Sequence, residues 1–183
     1  MGLRLTLGLC ENIPMQINSL FVSELDREAT RSRRALENVP DGKGDWKPHE
    51  RSMQFGYLAT MVATMPMWIT MMLRQDELDI APVGGSSHKW PSPKTSAEYV
   101  AALDSAADEA KQVLRDTSEA HLLTPWRLLA GGKVVSEHPR HEMIRDTINH
   151  WAHHRGQMTV YLRLMGAKVP SLYGPSADDA RFE

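Results

Sequence analysis

A single cysteine, Cys10, is the only thiol in the chain. No internal disulfide can form, so stability has to come from a buried core, which suits a reducing, cytoplasmic setting. No stretch reaches the ~20 apolar residues that a membrane-spanning helix requires; the most apolar run, 61–73, reads as a buried helix. Positive charge is not in excess either. The 21 Lys and Arg against 23 Asp and Glu leave a net charge of -2, which excludes the broad basic surface used to grip nucleic acid. Near the start, Leu3, Leu5, Leu7 and Leu9 alternate with Arg4, Thr6 and Gly8. That pattern is too short for a secretory apolar region with a cleavage site, and Gly8-Leu9 before Cys10 does not form a lipoprotein signal. Repeats and low-complexity tracts are absent.

What is present is an ordinary globular composition. The 183 residues, 42% hydrophobic and 24% charged, suffice for one domain to bury a sizeable core. Four segments carry helical periodicity. The first, about 16–38, places Leu20, Leu25, Ala29 and Leu36 on an apolar stripe and Glu24, Arg27, Glu28, Arg31 and Arg34 on the opposite, charged side; Pro40-Asp41-Gly42 stops it. The second, about 52–75, has Ser52 as a plausible N-cap and Pro66 inside it, where a kink is expected. The third, about 96–117, is capped by Thr95 or Ser96. The fourth, about 140–165, ends at Gly166, a natural residue just past a helix end. Before it, two short strands flank Gly131-Gly132 within 126–135. The loop from the first helix to the second is short, whereas 76–93 is long enough to cross the fold. The expectation is an all-α four-helix bundle in up-down-down-up order, with a β-hairpin-like insertion before the last helix.

The fourth helix carries the chemistry. At about 100° per residue, positions four apart lie some 40° apart on the helical wheel, so His150 and His154 point the same way, with Gln157 and Tyr161 on that side. Two imidazoles one turn apart can converge on one metal ion; chance spacing is the competing account. His141 and His153 point elsewhere and read as packing or surface histidines. Arg155 and Gly156 read as structural, the arginine bonding a carboxylate or carbonyl and the glycine permitting a close helix approach. Ser23, Ser52 and Cys10 lack a base motif that would make them nucleophiles.

The run Asn149-His150-Trp151-Ala152-His153-His154-Arg155-Gly156-Gln157 resembles the signature of the DinB-like family. Asp45-Trp46-Lys47-Pro48-His49 with Ser52-Met53, then Val160-Tyr161-Leu162-Arg163-Leu164, and the tail Leu172-Tyr173-Gly174-Pro175-Ser176-Ala177-Asp178 agree with it. The resemblance runs from about Met15 onward. It implies a domain over 15–183 preceded by a dispensable extension, 1–14. It implies a four-helix bundle that holds zinc or nickel with three histidines, two of them matching His150 and His154. It further implies a thiol transferase-like or hydrolase-like enzyme acting on a small-molecule thiol, and a homodimer, to which the 11 Met and 5 Trp also point. The third ligand of the family lies on helix two, and here its position holds Met61. A thioether is a poor ligand for zinc or nickel. Met61, Met65, Trp68 and Met72 share one helical stripe, which reads as an apolar core closed over a lost site, as a methionine-rich site for a soft ion, or as a centre whose third ligand comes from elsewhere. Besides the enzyme, two alternatives stand: a non-catalytic binding protein and a dimeric structural protein.

Overall fold

The computed structural model describes residues 16–85 and 91–182; the expected N-terminal extension lies outside the described residues. The described chain is mostly helical, with six helices and one small three-stranded sheet. In order these are α1 (Ile17–Leu36), α2 (Phe55–Thr64), α3 (Pro66–Arg74), β1 (Glu77–Asp79), α4 (Ser96–Asp116), α5 (Glu119–Leu122), β2 (Pro125–Ala130), β3 (Lys133–Pro139) and α6 (Arg140–Leu164). α1 packs on α4 and α6, while α2 and α3 pack on both α4 and α6. Between them lies one core of Leu25, Leu36, Leu58, Ile69, Leu103, Leu114, Ile144, Trp151 and Met158, with their neighbours.

The expected second helix is two helices. Proline lacks an N–H, so Pro66 cannot bond the carbonyl four residues back, and α2 and α3 meet at a 49° bend. The orphaned carbonyl is that of Val62, and it is buried. Trp151 Nε1 on α6 donates to it at 2.7 Å. The kink is thereby stitched to the facing helix. α2 also starts later than expected, at Phe55, with Gln54 rather than Ser52 as its N-cap residue and no side-chain cap. Backbone carbonyls of the preceding loop replace the cap: Phe55 N–H donates to Trp46 O and Gly56 N–H to Gly44 O, both at 2.8 Å. The approach is close enough that a Cβ on Gly56 would sit 3.0 Å from the Gly44 Cα.

The other helix ends follow the local rules. Thr95 and Glu98 form a full capping box at the start of α4. At the end of α6, Gly166 adopts φ 74°. Its N–H bonds Arg163 O and that of Ala167 bonds Leu162 O, which together form the Schellman motif. In the β-hairpin, Gly131 and Gly132 both have positive φ, as the two-residue primed turn between antiparallel strands demands. The sheet is larger than the expected hairpin. β3 runs on to Pro139, and β1, drawn from the long 76–93 connection, adds in parallel beside β2. Asp79 locks this addition, accepting from the N–H groups of Ala81, Gly131 and Gly132.

Burial departs from the sequence pattern in α1. Leu20, placed on the apolar stripe, is exposed, while Glu28 and Arg31, placed on the charged side, are buried. They belong to a cluster with Arg155 of α6. Arg155 pairs with the Glu28 carboxylate and donates to Glu28 O at 3.1 Å and Ser32 Oγ at 3.0 Å. Arg31 pairs with the same carboxylate, and Tyr173 from the tail donates to it at 2.9 Å. Arg155 is thus structural, as expected. Gly156 is not a close-approach glycine, because a Cβ there would meet open space. Arg140 is a third buried cation. It donates to Met72 O and Gln75 O at the end of α3 and to Pro125 O at the start of β2. Among the described residues no single helix is long and apolar enough to cross a membrane. α2 and α3 together pass on length and composition, but they are bent and largely buried in the core.

Candidate functional site

The bond from Trp151 to Val62 aligns one turn of α6 with one turn of α2. The residues next to this bonded pair, His150 and Met61, line a common cleft of about 1190 Å³. Tyr57, Thr60, Thr64 and Trp68 of α2 and α3, Tyr99 of α4 and the 41–45 loop complete much of its wall, with Leu78, Asp79 and Ile80 at the sheet side. A cleft of this size with mixed aromatic and polar walls has the dimensions of a small-molecule site.

The two histidines of α6 lie together, with ring centroids 4.4 Å apart. Their surroundings differ. His150 is exposed into the cleft, whereas His154 is buried. His154 Nδ1 is 2.9 Å from Gln157 Oε1; in the tautomer whose Nδ1–H donates to that oxygen, Nε2 keeps its lone pair. Partial desolvation by the cleft wall, and then the neighbouring His154 and His153, hold the His150 imidazole below its ordinary pKa. At neutral pH it is therefore an uncharged ring with a lone pair to offer, as hydrogen-bond acceptor, base or ligand. His153 is exposed and contacts only the edge of the pair, 5.5 Å from the His154 ring. His141 is a packing residue, its Nδ1 3.1 Å from Leu122 O. Tyr161, expected on the same side, stacks on Phe55 and meets Trp46 edge-on, so it seats the 41–46 loop rather than the cleft's ligand.

The methionine stripe is divided between core and cleft. Met65 and Met72 are buried in the core, while Met61 and Trp68 line the cleft. Met61 is half-buried and open to solvent on one side. The donors near the histidine pair do not fit a three-ligand zinc or nickel centre. Among the described residues no group of three His, Cys, Asp or Glu side chains is arranged to hold a metal ion, and the cleft residue on α2 is a neutral thioether. The cleft wall itself was missed in the sequence, although Tyr57, Met61, Thr64 and Trp68 follow one another at spacings of four, three and four. That is one helical face mixing aromatic, sulfur and hydroxyl groups.

The sequence pattern of the DinB family matches residues 15–181. A protein of Bacillus subtilis strain 168 described as uncharacterized protein YrdA is 34% identical over 95 residues, which are 51% of this chain and 54% of that one. The match thus spans about half the length of that relative. Two crystal structures share the fold. A DinB-like protein from Bacillus cereus ATCC 10987 superposes with a TM-score of 0.63 at 20% identity, covering 84% of this chain and 95% of its own. A DinB-like protein, YjoA, from Bacillus subtilis gives 0.62 at 16% identity, covering 87% and 99%.

Proposed function

Since the chain belongs to the DinB family, we propose that it is a cytoplasmic small-molecule-binding member whose metal centre is reduced to His150 and His154, so that zinc or nickel binds only weakly. The supporting observation is that His150 and Met61 line one cleft of about 1190 Å³, with the thioether standing where the family resemblance calls for a third imidazole. A low-molecular-weight thiol is the ligand class the resemblance implies. Met61 weighs for binding without turnover over a metal-dependent transferase or hydrolase. We read α1, the bent α2–α3 pair, α4 and α6 as a four-helix bundle in up-down-down-up order, supported by the packing of α1 and α2–α3 on both α4 and α6. We also assign a homodimer, supported by exposed Val160 and Leu164, one turn apart on α6.

His150 is placed to accept a hydrogen bond or a proton from a thiol in the cleft, and the aromatic wall of Tyr57, Trp68 and Tyr99 to exclude water from its apolar part. Calorimetric titration with a panel of low-molecular-weight thiols tests the reading. Binding that is weakened by Thr60→Trp, which puts an indole into the cleft, and weakened by His150→Ala is the expected result. Binding that Thr60→Trp leaves intact places the ligand elsewhere. Turnover of a thiol with an electrophile at catalytic rates, dependent on added zinc, would overturn the binding-only reading.

A further inference from the structure

We propose that the ligand of the cleft carries an ammonium group, seated at the lip where the 41–45 loop meets Tyr57. The proposal rests on reading the cleft as the small-molecule site and adds the charge its ligand must bear. Asp41, Asp45, Asp79 and Lys94 line the wall, beside His150. Two of these charges are answered within the chain. The Asp79 carboxylate accepts the N–H groups of Ala81 at 2.9 Å, Gly131 at 3.1 Å and Gly132 at 2.7 Å. The Glu98 carboxylate accepts the Lys94 N–H at 2.7 Å, so an anion stands beside that lysine. His150, whose pKa is lowered by desolvation and then by its histidine neighbours, adds no positive charge at neutral pH. Asp41 and Asp45 are left: they are exposed, and their carboxylates take part in no ion pair among the described residues.

An aromatic ring stands at the same lip. Gly56 N–H donates to Gly44 O at 2.8 Å, and the next residue on either side of that bond, Tyr57 on α2 and Asp45 on the loop, lines the cleft. Tyr57 is 58% exposed, so its ring is open to a ligand. The face of an aromatic ring attracts a cation electrostatically, and the two carboxylates act in the same sense. A neutral ligand gains from neither, and an anionic one meets like charge within a screening length of about 10 Å at ordinary ionic strength. Further along the wall, Met61, Trp68 and Tyr99 give the body of the ligand an apolar surface. The cleft therefore ranks ligands by the sign of their charge, cation before neutral before anion. An aminothiol satisfies both readings of the site, with its thiol offered to neutral His150 and its ammonium to Asp41, Asp45 and Tyr57.

The test uses thiols that differ only in their end group, cysteamine, 2-mercaptoethanol and 3-mercaptopropionate, with ethanolamine as the amine that lacks a thiol. Each is titrated at neutral pH and low salt into the full chain carrying methyl-labelled methionine, and the cleft is followed through the resonance that Met61→Leu deletes. Cysteamine should bind about threefold to tenfold more tightly than 2-mercaptoethanol, with 3-mercaptopropionate weakest, because each exposed carboxylate acts on the scale of a surface ion pair. At about 1 M salt, where the screening length falls to about 3 Å, the preference should shrink below about twofold. Asp41→Asn with Asp45→Asn should abolish the preference and leave 2-mercaptoethanol unchanged. Asp116→Asn, about 30 Å from Ser96 at the far end of α4, should keep it. Equal affinity for the thiols, a preference that survives the double variant, or one that Asp116→Asn also removes would overturn the proposal and leave thiol binding standing. Ethanolamine bound as tightly as cysteamine keeps the ammonium and removes the thiol from the reading. A Met61 methyl that no probe moves overturns both.

Discussion

Replacing Trp151 by phenylalanine isolates the stitch across the helix break. The indole Nε1–H is the partner of the Val62 carbonyl that Pro66 cannot serve, at 2.7 Å, and both residues are buried. Removing the donor leaves a buried acceptor unsatisfied, at a cost of about 1–3 kcal/mol. The lost ring volume adds roughly 1 kcal/mol of cavity and contact energy. For a chain of this length about 2–4 kcal/mol corresponds to a fall in thermal midpoint of roughly 5–12 °C. A double-mutant cycle with Pro66→Ala separates the two contributions, because alanine restores an N–H that can take the Val62 carbonyl within the helix. In that background Trp151→Phe should lose only its packing cost, giving a coupling energy of about 1–2 kcal/mol. Thermal unfolding followed by circular dichroism on the four proteins measures it. If Trp151→Phe costs the same with and without Pro66, to within about 0.5 kcal/mol, the indole is packing and not completing the helix, and the reasoning fails.

Three further outcomes follow from other contacts. Burial raises the Glu28 pKa, but Arg155, Arg31 and the Tyr173 hydroxyl lower it further, so the carboxyl sits below its usual value of 4.5. Its stabilising contribution is therefore present above that pH and is lost as pH falls through the folded value; Glu28→Gln should flatten the acid limb of a stability-against-pH curve and cost about 3–5 kcal/mol at neutrality by stranding buried cations. An unchanged acid limb would place the titrating group elsewhere. Gly56→Ala should destabilise by about 1–3 kcal/mol, since its Cβ would meet Gly44 backbone that is itself hydrogen-bonded to residue 56; a neutral or stabilising result in denaturant titration would contradict that close approach. Light scattering at tens of micromolar should give the mass of a dimer, and Val160→Asp with Leu164→Asp should shift it to the monomer; a monomeric parent protein would remove the assembly from the reading.

Several elements were legible in the sequence because the physics that sets them is local. Gly131-Gly132 forces a primed turn, Gly166 takes the left-handed conformation that ends a helix, Thr95 with Glu98 closes a capping box, and Pro66 deletes one helical bond. The spacing of His150 and His154 likewise puts them on one helix face, where their rings lie together. Burial and partnership were not legible, because they depend on residues far apart in the chain. Glu28 and Arg31 resemble a solvated helix face until Arg155 and Tyr173 come over them, more than 120 residues away. β1 has no strand signal of its own; a free edge of β2 and the carboxylate of Asp79 create it. Most consequentially, the sequence set Met61, Met65, Trp68 and Met72 on one stripe, since helical periodicity is all that neighbours in sequence can express. Only the packing of the other helices against that stripe buries Met65 and Met72 in the core and leaves Met61 and Trp68 on the cleft that His150 also lines, because burial depends on which elements cover a face.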